Sequence, residues 1–156
     1  MDTHSKVGRG GGWVAGQLAI GVVAIALGAL GPGWRDPWRT LVFVGWVLMV
    51  AGLAMVVAGG GVLGSSLTPF PRPTPGARLR EHGIYRFVRH PMYGGTIVLF
   101  AGFSFVSSPL ALLATAALAV LLDLKSRREE VWLVERYPGY DDYRRSTRWK
   151  FVPGLR

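Results

Sequence analysis

The chain has 156 residues, of which 17% are charged and 50% hydrophobic, against about 25% charged in ordinary soluble domains. Residues 10–34, 40–71 and 90–122 contain no Asp, Glu, Lys or Arg, too many positions for a soluble fold of this length to hide. The 18 Lys+Arg outnumber the 9 Asp+Glu, but they flank the apolar runs instead of forming one soluble basic face, so they set topology and meet lipid headgroups and do not bind nucleic acid. With no cysteine, disulfides, thiol nucleophiles, iron–sulfur clusters and Cys-ligated zinc are excluded, and no metal is expected. The fold class expected is all-α and integral to the membrane, with about four transmembrane helices.

The first span runs from Trp13 to Leu30 behind Lys6 and Arg9. Its apolar stretch is longer than the core of a cleaved signal peptide and a second span follows at once, so it is expected to be retained as a membrane helix. Gly31-Pro32-Gly33 and Asp36-Pro37 make a short turn into the second span, Leu41 to Leu63. Small residues recur at four-residue spacing in both spans (Gly12/Gly16, Ala24/Gly28, Ala54/Ala58), a pattern that lets helix backbones approach closely in lipid.

Residues 64–91 differ in character. Thr68 to Gly76 holds four prolines in nine residues and is expected to be an extended linker. Arg78, Arg80, Arg86 and Arg89 follow, a cation excess that marks the loop as cytoplasmic. The third apolar run, Met92 to Leu124, is broken once, at Ser107-Ser108-Pro109. Serine caps a helix and proline opens its first turn, so the run is a helical hairpin with legs 92–107 and 109–124. A single helix of that length would reach about 50 Å, against a hydrocarbon core of roughly 30 Å.

Residues 125–156 carry nine Lys/Arg and five Asp/Glu with Trp132, Tyr137, Tyr140, Tyr143, Trp149 and Phe151 interleaved, which suits a cytoplasmic helix and tail at the interface. The chain is thus one membrane domain: two spans in 1–63, a cytoplasmic loop in 64–91, the hairpin in 92–124, and the helix and tail in 125–156. Both termini are expected to be cytoplasmic.

Two polar clusters meet at the hairpin mouth. One is His82 to Gly95, in which Pro91 opens the third helix, Arg89 and His90 sit in the turn before it, and Gly94 and Gly95 leave room for a ligand or another helix. The other is Arg127-Arg128-Glu129-Glu130, where the fourth span leaves the membrane. The hairpin brings Arg89, His90 and Tyr93 to the depth of Glu129 and Glu130. Singly, such residues are interfacial anchors or a solvated face; together they describe a site.

The string Gly83-x-Tyr85-x-x-x-Arg89-His90-Pro91-x-Tyr93-x-Gly95, an apolar hairpin, Glu129-Glu130-x-x-Leu133, then Tyr137-Pro138-Gly139-Tyr140-x-x-Tyr143 and Phe151-Val152-Pro153 resembles the isoprenylcysteine carboxyl methyltransferases and their phospholipid methyltransferase relatives. The resemblance spans roughly residues 77–153. It implies S-adenosylmethionine as methyl donor, bound by Gly83, Tyr85, His90, Pro91, Tyr93, Gly95, Glu129 and Glu130, with Arg89 and Glu130 as catalytic residues and a lipophilic acceptor drawn from the membrane. A carboxylate suits the donor's cationic groups, and Tyr85, Tyr93, Trp132 and the tail offer walls for adenine. A carboxylate acceptor needs no base and would be held by Arg89, whereas a phospholipid amine must first lose a proton to Glu130 or His90. A sterol-type reductase would need a nicotinamide cofactor, for which no Gly-rich fingerprint follows a strand. A non-enzymatic scaffold leaves the 83–95 motif unexplained.

Overall fold

The computed structural model describes residues 10–35, 39–70 and 78–154. Lys6 and Arg9, the Asp36-Pro37 turn and most of the proline-rich linker lie outside them. Among the described residues there are five α-helices: α1 (Gly11–Leu30), α2 (Arg39–Leu63), α3 (Pro91–Val106), α4 (Pro109–Arg136) and the short α5 (Tyr140–Ser146). A 3₁₀ turn, Gly64–Ser66, extends α2 and another, Gly83–Arg86, precedes α3. Among the described residues, α1, α2 with its 3₁₀ extension and α4 are each long and apolar enough to cross a membrane, and α3 is a shorter apolar helix of 16 residues. The protein is an all-helical integral membrane protein.

The hairpin break falls where the serines and proline place it. Ser108 is the N-cap of α4, its hydroxyl accepting from Leu110 N at 3.3 Å and donating to Pro32 O at 2.8 Å. Trp34 Nε1 donates to Ser104 O at 3.1 Å, so the loop after α1 is fastened over the turn. Between the legs, the Ser104 and Thr115 hydroxyls pair at 3.0 Å, satisfying two polar groups where lipid offers no partner. Beyond Leu124 the structure has no break: α4 continues as one helix to Arg136, about 42 Å at 1.5 Å per residue. The helix expected beyond the hairpin is therefore its last three turns plus α5.

The helices pair out of sequence order. α2 packs chiefly on α3 and α1 chiefly on α4, while α1 and α2 make no extensive contact with each other. The α2–α3 seam is antiparallel and built on glycine: Gly45 faces Gly102, Gly52 faces Gly95 and Gly59 faces Met92. These glycines repeat every seven residues, so one stripe of backbone stays in contact along the pair. Ala54 and Ala58 of the four-residue pattern face outward, whereas Ala24 and Gly28 of α1 are buried and Gly28 meets Phe103. Leu18, Val22, Phe43, Trp46, Val50 and Val57 are exposed, the surface expected where lipid is the solvent.

Candidate functional site

At the mouth of the hairpin four segments converge: the turn before α3, the last turns of α4, α5, and the tail after it. The tail is laid beside the turn by backbone bonds, Arg89 N to Trp149 O at 3.0 Å and His90 N to Lys150 O at 2.8 Å, with a parallel bridge between Val88 and Trp149. Gly94 permits this, because a Cβ there would strike the Phe151 carbonyl. Lys150 then pairs with Asp123 of α4 at 2.6 Å. Tyr143 of α5 donates its hydroxyl to Tyr85 O at 2.7 Å.

Within this frame Arg89 Nε donates to Glu130 Oε1 at 3.0 Å, and its Nη1 donates to Thr147 O at 2.7 Å and Arg148 O at 3.1 Å. His90 Nε2 stands 3.1 Å from the same Glu130 oxygen and donates to it, with the carboxylate as acceptor. His90 Nδ1 lies 3.9 Å from Glu129 Oε2, beyond a hydrogen bond. That Glu129 oxygen accepts instead from Tyr93 OH at 2.8 Å. The imidazole stacks on Tyr93, with planes 3° apart and centroids at 5.5 Å. The two adjacent glutamates thus have separate partners, Glu130 the Arg89–His90 pair and Glu129 the Tyr93 hydroxyl.

Beside this network is a cavity of about 410 Å³, within the range of roughly 300–1,000 Å³ of small-molecule sites. Of the residues singled out in the sequence, Tyr85, Arg89, His90, Tyr93 and Glu129 line it. Glu130 lies behind, reaching the cavity through Arg89 and His90. Gly83, Pro91 and Gly95 do not line it. Gly83 has φ +61°, a conformation that favours glycine, and opens the turn carrying Tyr85. Pro91 is the first residue of α3, and Gly95 meets the Gly52 carbonyl of α2. The room left by Gly94 and Gly95 is filled by the tail and by α2. Trp132 is off the cavity, under the Arg128 guanidinium at 5.0 Å. Burial pushes the phenols of Tyr85, Tyr140 and Tyr143 above their usual range, so all three are neutral hydroxyls at neutral pH.

Sequence reasoning did not find Lys125. It is 2% exposed and its ammonium donates to Gln17 Oε1 of α1 at 2.8 Å and Pro69 O at 3.1 Å, 4.9 Å from the Tyr93 ring centre. Its signal was positional, one turn before Glu129 on the face of Leu118 and Leu122, both buried. Among the described residues no group of three or more His, Asp or Glu is placed to hold a metal ion.

An all-helical membrane protein with a largely apolar cavity, edged by charged side chains, at one end of a helical hairpin is the class that fold and site define. A family model described as phospholipid methyltransferase matches residues 40–139, and the chain belongs to that family. The match takes in α2, the hairpin, Arg89, His90, Tyr93 and both glutamates. The chain is also similar to the nickel-cobalt-cadmium resistance protein NccN of Alcaligenes xylosoxydans xylosoxydans, at 30% identity over 149 residues, which cover 94% of this chain and 66% of that protein. It therefore spans just under two thirds of that relative's length.

Proposed function

We propose that the protein transfers a methyl group from S-adenosylmethionine to a lipophilic acceptor at the cytoplasmic face of the membrane, and that both of its termini lie on that side. Family membership supports methyl transfer at a membrane. The observation that carries the donor is Glu129, the one carboxylate among the described residues that lines the cavity, beside the aromatic side chains of Tyr85 and Tyr93. S-adenosylmethionine supplies a methyl group on a sulfonium, open to in-line displacement.

The residues then divide the work. Glu129, aimed by Tyr93, stabilises positive charge in a site of low dielectric. Tyr85 and Tyr93 hold a flat ring. Arg89 and His90 are fixed by Glu130, and this positioning supplies most of the rate that an in-line displacement needs. A carboxylate acceptor requires no base. An ammonium acceptor gives its proton to His90, whose other nitrogen donates to Glu130. Val14 and Leu18 of α1, Leu63 at the end of α2 and Leu67 just beyond it also line the cavity, and between those two helices an acyl or prenyl chain slides in from the bilayer.

Calorimetry of S-adenosylmethionine against detergent-purified protein tests this, with NADPH as comparator. Saturable binding that Glu129→Gln and His90→Ala lose while both variants still unfold cooperatively is the expected result. NADPH binding in its place would return the reductase reading, and binding of neither to folded protein would return the scaffold.

A further inference from the structure

Arg89 and His90 depend on the backbone of the tail as much as on Glu130. Thr147 O and Arg148 O accept from Arg89 Nη1, Trp149 O from Arg89 N, and Lys150 O from His90 N. Glu130 takes one bond from the same guanidinium, at Nε. This row of four carbonyls belongs to a segment with little regular structure: from Thr147 onward the described residues form no helix, and one isolated bridge joins Trp149 to Val88. Segments of that kind open locally at low free energy, so the row keeps its register only where side chains fasten it. Gly94 leaves room for the tail without gripping it, and the Thr147 hydroxyl reaches Arg86 O only at 3.4 Å.

One ion pair provides the grip. Lys150 Nζ stands 2.6 Å from Asp123 Oδ1, with side chains 13% and 30% exposed, and among the described residues it is the one ion pair between the tail and a transmembrane helix. Exposed pairs are worth little, but this one is largely withdrawn from solvent. Asp123 lies seven residues before Glu130 and so on nearly the same face of α4. That face therefore presents two carboxylates two turns apart, one holding the tail and the other holding the residues that the tail brackets. Arg127 shares Asp123 through Oδ2 at 2.7 Å, but its side chain is 70% exposed and pairs with no tail residue among those described. We propose that Asp123 and Lys150 are positioning residues of the site: their ion pair is the clasp that sets the tail carbonyls against Arg89 and His90, and with them the place of both side chains at the cavity. The consequence for the donor rests on the methyltransferase reading. The hold on Arg89 and His90 is measurable without any donor.

The test follows amide hydrogen exchange at Arg89 and His90 in the detergent-purified chain, with S-adenosylmethionine calorimetry alongside. In Lys150→Met both amides exchange about tenfold faster and donor affinity falls by a similar factor, the size expected for the loss of one hydrogen bond to a charged group. Asp123→Asn keeps the size of the side chain without its charge and does the same by about threefold, so the proposal stays open to refutation even where Lys150→Met melts early. Lys150→Arg preserves both readouts, and Arg127→Gln leaves both as in the wild type. Exchange at Ser107 and Ser108, whose amides bond at the other end of the hairpin, does not change in any of them. Unmoved exchange at Arg89 and His90 overturns the proposal, as does an equal effect of Arg127→Gln. Quickening that extends equally to Ser107 and Ser108 also overturns it, by making the pair a general support of the fold. So does donor affinity that ignores faster exchange at the two amides. A wild type that binds no donor, with the exchange pattern intact, counts against the methyltransferase reading and leaves the clasp standing.

Discussion

Replacing Gly52 by alanine tests whether the α2–α3 seam sets the geometry of the site. A Cβ at Gly52 would come 2.5 Å from Leu99 N, 2.6 Å from Gly95 O and 2.9 Å from Leu99 Cα, against 3.4–4 Å for ordinary contact. All three are backbone atoms of the facing helix, so no rotamer change relieves the overlap, and the helices must part by about 1 Å at this level. Overpacking of this kind costs about 1–3 kcal/mol. At roughly 2–4 °C per kcal/mol for a chain of this size, melting in detergent should fall by about 2–12 °C. The control is on the same helix: a Cβ at Gly61 meets nothing within 4 Å, and alanine there gains up to about 1 kcal/mol of helix propensity. Because α3 opens with the turn that carries Arg89 and His90, Gly52→Ala should also weaken S-adenosylmethionine binding from a distance. Equal melting temperatures for Gly52→Ala and Gly61→Ala would refute the reasoning.

Three further outcomes follow from the same contacts. Ser108→Ala removes the cap of α4 and the bond to Pro32 O, and should lower stability by about 1 kcal/mol while leaving donor affinity untouched in calorimetry. Arg89→Ala strips a buried carboxylate of its cation, where the partners are only 12% and 13% exposed; a loss of about 3–5 kcal/mol is expected, and Arg89→Ala/Glu130→Gln should recover part of it in a melting cycle. Lys125→Met keeps the length of the side chain but leaves Gln17 Oε1 and Pro69 O without their donor, so stability should fall by about 1–3 kcal/mol. Hydrogen exchange at Leu67, Thr68 and Phe70 should also quicken, because Pro69 O has lost its donor; unchanged exchange would show that the loop is held by other means.

The sequence announces what depends on local chemistry. Charge-free runs mark the spans, Ser108-Pro109 marks the hairpin, and the hairpin alone brings Arg89 and His90 to Glu130. Contacts without a local period were not legible. Small residues four apart pointed to Ala54 and Ala58, but the seam uses Gly45, Gly52 and Gly59, because a closely packed antiparallel pair returns the same face every seven residues. The bridge of Val88 to Trp149 is a single pairing and has no alternation to reveal it. Gln17 sits in an apolar run as one amide, and only the structure shows that it receives the ammonium of Lys125 from the far end of the chain.

The pairing of α1 with α4 fixes an order on biosynthesis. α1 leaves the ribosome before its partners: Phe103 of α3 meets Gly28 and Leu121 of α4 meets Gly16, so neither contact exists until those helices have been made. Until then the first helix waits in lipid as a separate span, with Gln17 lacking the ammonium it will accept. Emergence of Lys125 is thus the step that closes the bundle, and the cavity comes into being only once the C-terminal segment has been made.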